Sequence, residues 1–250
     1  MPSSDEPPVL YRPGTIARLV FNRPRVKNAL DSASWTLLAD ALEQFEKDPE
    51  SRVLVLSGTG GDFSSGADLS GNINASSEQV SAKMREVAAI IVRLHTMPKP
   101  TVAKVDGVAA GVGMSLALGC DIIIASDRAR FGAVFSRVGL APDGGLSWLL
   151  PRVVGPHKAK ELALLGRLVG GPEARDLGLA NLVVPPDELD AVVDDWSERL
   201  AACAPAVAEG TLDLIDASWN TTFTQALENE AEAQRRAVAA LRERASGAGE

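Results

Sequence analysis

Three short apolar segments constrain the fold of this chain more than any other feature. They occupy residues 53–56, 101–105 and 121–125, and β-branched residues are frequent in them. A strand with one face in water alternates apolar and polar residues, whereas a continuous apolar run indicates burial on both faces. Because segments with helical spacing separate these strands, the sequence predicts an α/β domain.

Helical periodicity fills most of the remaining chain. Apolar residues recur at helical spacing over residues 33–47, where Asp31 or Ser32 caps the N-terminus, and over residues 80–96, before Pro98. From Glu188 onward the pattern is almost entirely helical. We therefore predict a core over residues 1–195 and a helical region over residues 196–250, which packs on the core or joins a neighbouring subunit.

Composition excludes several classes of function. The chain has 250 residues and a net charge of −8, which argues against a nucleic-acid partner. No apolar run reaches the ~20 residues of a membrane span, and the N-terminus is unlike a signal peptide. Cys120 and Cys203 lie in apolar or alanine-rich surroundings, typical of reduced thiols, and no metal-binding spacing occurs. We expect a cytoplasmic protein without a membrane partner or a metal site.

Three glycine-containing segments contain the candidate functional residues. Residues 63–69 follow a predicted buried strand, residues 106–113 open a predicted helix, and residues 138–145 place Asp143 in a tight turn. Small residues let the backbone approach a ligand, and a helix N-terminus offers free N–H groups to a developing oxyanion. Taken singly, each segment is equally typical of an ordinary turn or of close helix packing.

Together with other motifs, these segments resemble one known family. The motifs are Asn22-Arg23-Pro24-Arg25-Val26-Lys27-Asn28-Ala29-Leu30, Ser65-Gly66-Ala67-Asp68-Leu69, Gly111-Val112-Gly113, Cys120-Asp121-Ile122, Phe131-Gly132 and Leu150-Pro151-Arg152-Val153-Val154-Gly155. In this order and spacing they are similar to the enoyl-CoA hydratase/isomerase family, also called the crotonase family, over nearly the whole chain.

The resemblance implies a fold and an assembly. The expected fold is a crotonase-like ββα spiral core with a C-terminal helical trimerisation region, which gives a homotrimer or a dimer of trimers. The expected ligand is an acyl-CoA thioester, whose CoA is part of the substrate, so no separate cofactor is expected.

The resemblance also implies a site. The backbone N–H groups of Ala67 and Val112, the latter preceded by Gly111, would polarise the thioester carbonyl and stabilise an enolate. Further positions are expected to contact the ligand. For the two basic residues among them, Arg25 and Lys27, it is equally possible that they are ordinary solvated charges of a loop. These positions are Arg25 and Lys27 for the phosphates or adenine region, Ser65, Asp68 and Leu69 through their backbone, and Phe135 and Val138 near the acyl group.

The sequence departs from the family's hydratases at two positions. Their two water-activating glutamates fall on Ser115 and Phe135, neither of which transfers a proton at neutral pH without a partner. Asp143 matches the single carboxylate of the family's Δ3,Δ2-enoyl-CoA isomerases and of a related oxepin-forming isomerase. That resemblance implies that Asp143 carries a proton from C2 to C4. Apolar neighbours (Phe135, Val138, Leu140 and Trp148) should raise the pKa of Asp143.

Two other functions remain open from the sequence. A hydratase-type lyase would use Asp143 and an ordered water, and a non-catalytic member would bind acyl-CoA without turnover. The acyl group is not determined, because the apolar residues near the motifs are equally typical of a pocket and of a core. These residues are Met84, Val87, Met114, Leu116 and Phe135.

Overall fold

The computed structural model describes residues 6–70 and 76–247, and nine strands occur within them. The strands are β1 (Val9–Arg12), β2 (Ile16–Phe21), β3 (Val53–Gly58), β4 (Thr101–Val105), β5 (Val108–Ala110), β6 (Ile122–Ser126), β7 (Arg130–Gly132), β8 (Leu168–Gly170) and β9 (Leu182–Val184). A six-stranded sheet has the order β1-β2-β3-β4-β6-β9, and a three-stranded sheet has the order β5-β7-β8. In the larger sheet only β1 is antiparallel to its neighbour.

The continuous apolar segments are central strands of the larger sheet, as predicted. In β3, Leu54 and Leu56 belong to the main hydrophobic core, whereas Val53 and Val55 belong to a second core on the opposite face. Because successive side chains of a strand point to opposite faces, a strand covered on both sides must be apolar throughout. The α/β class is therefore confirmed.

The described residues contain nine α-helices. They are α1 (Ser32–Lys47), α2 (Ser77–His95), α3 (Val112–Leu118), α4 (Leu146–Val154), α5 (Pro156–Leu165), α6 (Gly171–Asp176), α7 (Leu189–Ala201), α8 (Pro205–Ala217) and α9 (Phe223–Gly247). Asp31 caps α1 by accepting a hydrogen bond from the Ser34 N–H group. The second helix begins earlier than predicted, because Ser76 and Gln79 form a capping box at its N-terminus.

The smaller sheet positions the start of α3. The segment from Gly107 was predicted to run into a helix, but the structure first forms β5, which pairs in parallel with β7. The chain then turns at Gly111, which has a φ of 55°, and α3 begins at Val112. A three-residue strand gives too short a pattern to be distinguished in the sequence from the helix that follows.

The C-terminal helices form two groups. Leu189 and Val193 of α7 pack on the second core together with Trp196 and Leu200, so the predicted boundary between residues 195 and 196 falls inside a helix that covers the sheet. Helices α8 and α9 follow and approach each other at Gly210. Within the two described ranges, no helix combines the length and apolar character needed to cross a membrane.

Candidate active site

One cavity brings the main candidate residues together. Its volume is about 690 Å³. Ala67, Val112 and Asp143, which lie far apart in the sequence, all line it. The remaining lining residues are Arg23, Leu30, Asp31, Ser32, Trp35, Asp68, Ser70, Gln79, Val80, Lys83, Met84 and Val87.

The loop that carries Ala67 is held by a short parallel bridge. The Leu30 N–H donates to the Gly66 carbonyl oxygen over 2.8 Å, and the Asp68 N–H donates to the Leu30 carbonyl oxygen over 2.9 Å. This pattern engages the residues on either side of Ala67, whose own N–H group donates to no protein acceptor in residues 6–70 and 76–247. Ala67 therefore keeps a free donor at the exposed end of the cavity.

Gly66 lets this loop pack against the start of α3. Its φ is +101°, and a Cβ atom there would lie 2.8 Å from the Ala110 carbonyl oxygen and 3.4 Å from the Val112 nitrogen. Only glycine tolerates both the conformation and the close approach. The Ala67 and Val112 segments are therefore in direct contact.

Val112 supplies the second free donor. It is the first residue of α3, where the N–H groups have no partner inside the helix, and its own N–H donates to no backbone acceptor outside the helix within the described part of the chain. The helix dipole adds a partial positive charge at this end. Two free N–H groups on adjoining segments line one cavity, an arrangement that can stabilise negative charge on a ligand oxygen.

Asp143 provides a carboxylate in the same cavity. Its Oδ1 atom is buried and accepts no hydrogen bond from any group in the described ranges. Burial raises the pKa of Asp143 above its ordinary value of 3.8, because the charged form loses hydration. The predicted direction of this shift is confirmed.

The predicted surroundings of Asp143 are partly wrong. Val138 and Leu140 are 56% and 50% exposed and do not line the cavity. Trp148 stacks edge-on against His95 and lies under Arg152. The directions of these three side chains depend on how the loop turns and on which face of α4 packs inward. A local sequence pattern does not specify either.

The other two carboxylates of the cavity are engaged. Arg23 Nη1 donates to Asp68 Oδ2 over 2.9 Å, and Arg23 Nη2 lies 3.3 Å from Asp31 Oδ2. Hydrogen bonds from Ser70 and then from Arg23 lower the pKa of Asp68 to about 2. Asp143 is therefore the carboxylate of this cavity that is available for proton transfer.

The predicted CoA contacts lie beside the cavity rather than inside it. The Ser65 N–H donates to the Lys27 carbonyl oxygen over 2.8 Å, so the two motifs run side by side. Arg25 and Lys27 are exposed, Ser65 is half-buried and Leu69 is 40% exposed. Gly111 caps α3 behind Val112. These residues form a surface next to Ala67, and Asp68 alone of the expected adenine contacts also lines the cavity.

The apolar residues that the sequence placed near the motifs divide between the cavity and the core. Met84 and Val87 line the cavity, whereas Met114 and Leu116 are fully buried in the main core. Phe135 is 5% exposed, packs in the same core and does not line the cavity, so its expected place beside the acyl group is not the one observed. Its short 3-10 segment, Val134–Val138, buries the ring.

Sequence reasoning missed Arg23, Trp35 and Lys83 as cavity residues. Trp35 fits the apolar face of α1, and a tryptophan at helical spacing is typical of a core. Lys83 lies one helical turn after Gln79 on α2, and this spacing alone does not indicate that either residue lines a cavity. Arg23 belongs to the first motif, but the sequence did not show its role, because its partners Asp31 and Asp68 meet it only in the folded chain.

Comparison with known proteins agrees with this geometry. Residues 12–247 match the family model described as Enoyl-CoA hydratase/isomerase. The chain belongs to this family and therefore to the crotonase superfamily, and the fold expectation is confirmed.

Three relatives illustrate the similarity. The chain is 36% identical to 1,2-epoxyphenylacetyl-CoA isomerase of Escherichia coli (strain K12) over 224 residues, which cover 88% of this chain and 84% of the relative. It is 33% identical to an enoyl-CoA hydratase from Polaromonas sp. JS666, with a TM-score of 0.86 and coverage of 91% and 90%. It is 31% identical to a Thermobifida fusca YX protein solved in complex with CoA, with a TM-score of 0.86 and 95% coverage of both chains.

Proposed function

We propose that this protein is an enoyl-CoA isomerase that converts Δ3-enoyl-CoA to Δ2-enoyl-CoA with Asp143 as the proton carrier. The observation that supports this function best is the Asp143 Oδ1 atom, which is buried and has no hydrogen-bond partner among residues 6–70 and 76–247, in the cavity that Ala67 and Val112 also line. A carboxylate that is desolvated and not hydrogen-bonded is a stronger base than one in water.

The proposed reaction needs one base and no water. The Asp143 carboxylate removes a proton from C2, and the electrons form a dienolate whose oxygen accepts hydrogen bonds from the Ala67 and Val112 N–H groups. The carboxylic acid then returns the same proton at C4, and the double bond moves into conjugation with the thioester. Each donor is worth about 2.7–4 kcal/mol of transition-state stabilisation in comparable oxyanion holes.

The residues at the family's hydratase positions favour isomerisation over hydration. Ser115 is fully buried and its hydroxyl donates to the Asp143 carbonyl oxygen over 3.1 Å. Phe135 lies in the core. Neither side chain presents a second carboxylate to a water molecule, and a proton shift within the substrate requires none.

We propose an acyl-CoA thioester as the substrate, with no separate cofactor. The Thermobifida fusca relative solved with CoA supports this ligand class. Exposed Arg25 and Lys27 would attract the CoA phosphates beside Ala67. Replacing both with glutamine should raise the KM by a few-fold and flatten its salt dependence. The same change at Arg12, an exposed strand residue, is the control.

The test of the proposed function is a substrate screen. Purified protein is incubated with 3-enoyl-CoA esters of increasing chain length, and the absorbance of the conjugated thioester is followed. We expect turnover by the wild type and a loss of at least about a thousandfold in Asp143→Asn, with CoA-ester binding retained. Equal turnover by the two proteins would remove Asp143 from the mechanism.

Two other outcomes identify the alternatives. Loss of conjugation when 2-enoyl-CoA esters are supplied would indicate a hydratase-type lyase, an activity that the Polaromonas relative's name carries. Tight CoA-ester binding without turnover at any chain length, unchanged in Asp143→Asn, would indicate a non-catalytic acyl-CoA-binding member.

A further inference from the structure

The turn that carries Asp143 rests directly on the first turn of α3. Gly144 has a φ of +58°, and a Cβ atom there would lie 2.7 Å from Val112 Cγ2 and 3.0 Å from Ser115 Cβ. The first distance is shorter than real Cβ contacts, and the second is tighter than most of them. The turn therefore leaves no room for a side chain at position 144 without a shift of its neighbours, and Val112 is one of those neighbours.

Ser115 fixes the turn by a hydrogen bond. Its hydroxyl donates to the Asp143 carbonyl oxygen over 3.1 Å, and the same oxygen accepts from the Leu146 N–H over 3.1 Å. Ser115 is fully buried, so water does not compete for its hydroxyl. Its backbone N–H donates to the Gly111 carbonyl oxygen, one residue before the proposed oxyanion donor. The first turn of α3 thus contains both Val112 and Ser115, whose hydroxyl holds the Asp143 backbone.

We propose that Ser115 is a positioning residue that fixes the Asp143 carboxylate relative to the Val112 N–H group. This inference rests on the proposed function, since it assigns Ser115 a role through the proton carrier. Ser115 is not among the residues that line the cavity, and its hydroxyl donates to the Asp143 backbone. It acts by limiting the movement of the 143–145 turn, and small displacements of a reacting group strongly reduce rates.

The experiment compares Ser115→Ala with Ser197→Ala in the full-length protein. Ser197 is also fully buried in a helix, and its hydroxyl donates to the Val193 carbonyl oxygen within α7. We expect Ser115→Ala to lower kcat by about tenfold or more, with KM changed less than about twofold. The acidic limb of its kcat–pH profile should move to lower pH as Asp143 gains access to water. Ser197→Ala should leave kcat and its pH profile unchanged.

A double variant separates positioning from general destabilisation. In the Asp143→Asn background, Ser115→Ala should have no further effect on residual turnover, because the group it positions is gone. A similar loss in both backgrounds would overturn the inference. So would an unchanged kcat and pH profile in Ser115→Ala when the wild type is active and Asp143→Asn is not.

The dependence of Asp143 on Ser115 is also tested by thermal stability, which needs no activity measurement. If burial of the Asp143 carboxylate is maintained by Ser115, Asp143→Asn should raise the Tm at pH 7 more in the wild type than in Ser115→Ala. An equal gain in both would contradict the positioning role. A wild type without isomerase turnover would instead overturn the proposed function, whatever this thermal comparison shows.

Discussion

Arg23 Nη1 donates hydrogen bonds both to Asp68 Oδ2, over 2.9 Å, and to the Ala29 carbonyl oxygen, over 2.6 Å. This guanidinium joins the segment before α1 to the loop that presents the Ala67 N–H group. Both side chains of the ion pair are mostly buried, with 25% and 18% exposed. The pair therefore helps to hold the loop that carries Ala67 in place beside the cavity.

Removing Asp68 should loosen that loop. Asp68→Ala leaves Arg23 with fewer partners, and we expect a loss of about 1.5–3 kcal/mol in the free energy of unfolding, the range for a hydrogen bond to a charged group. Urea denaturation at fixed protein concentration measures it. Glu232→Ala is the control, because its pair with Arg235 is exposed to solvent and should contribute little to stability. Equal losses would show that the Arg23 pair has no special role.

The contribution of Asp68 should depend on pH. The pKa of Asp68 is lowered in the folded protein to about 2, so its ionised form stabilises the fold above the unfolded pKa of about 3.9. That stabilisation is lost as the pH falls through this window toward 2. The difference in Tm between wild type and Asp68→Ala should therefore shrink below about pH 4. A constant difference from pH 7 down to the acid limit of folding would contradict this assignment.

Asp143 should behave in the opposite way. Its pKa is raised by burial, so the protonated form is favoured in the folded protein and the carboxylate destabilises it above the ordinary pKa of 3.8. Asp143→Asn should therefore raise the Tm at pH 7 while abolishing turnover. The kcat of the wild type should fall at acidic pH with a midpoint above 3.8, because the base must be ionised. A lower Tm for Asp143→Asn would indicate that the carboxylate is stabilised by contacts.

Two glycines provide a matched test of the contact between the Asp143 turn and α3. Gly144 and Gly139 both have positive φ, +58° and +72°, but a Cβ atom at Gly139 meets nothing within 4 Å. Gly139→Ala should cost only the conformational strain, about 1–2 kcal/mol, and leave kcat unchanged. Gly144→Ala adds the collision with Val112 and Ser115 and should lower kcat by about a hundredfold. Similar kcat values for the two variants would show that the close packing is not needed.

The exposed apolar side chains of the C-terminal region lead us to expect an assembly of several copies of the chain. Large apolar side chains there are exposed in the single chain, which is unfavourable for a stable monomer. They include Ile215 at 60%, Trp219 at 55% and Phe223 at 80%. We expect sedimentation to give three or six times the chain mass of 26.2 kDa, and Phe223→Glu to dissociate the assembly. Val92→Glu is the control, because Val92 is an exposed residue of α2, outside the C-terminal helices. A monomeric wild type would overturn this expectation.

The sequence alone determined the class of the fold and the family that the chain resembles. A continuous apolar segment such as residues 53–56 specifies burial on both faces by its composition, because the cause lies in the strand itself. Local patterns marked the segments that contain Ala67, Val112 and Asp143, and the resemblance to the family assigned these residues their expected roles.

Only the tertiary structure decided how these pieces meet. The turn at Gly144 packs on Val112 and Ser115, and Arg23 pairs with Asp31 and Asp68, through contacts between segments distant in the chain. Phe135 was expected in the cavity but packs in the core, since the direction of a side chain in a short 3-10 segment depends on what surrounds it. Local patterns specify which residues are suited to a role, whereas long-range packing decides which of them share a cavity and which are left without a hydrogen-bond partner.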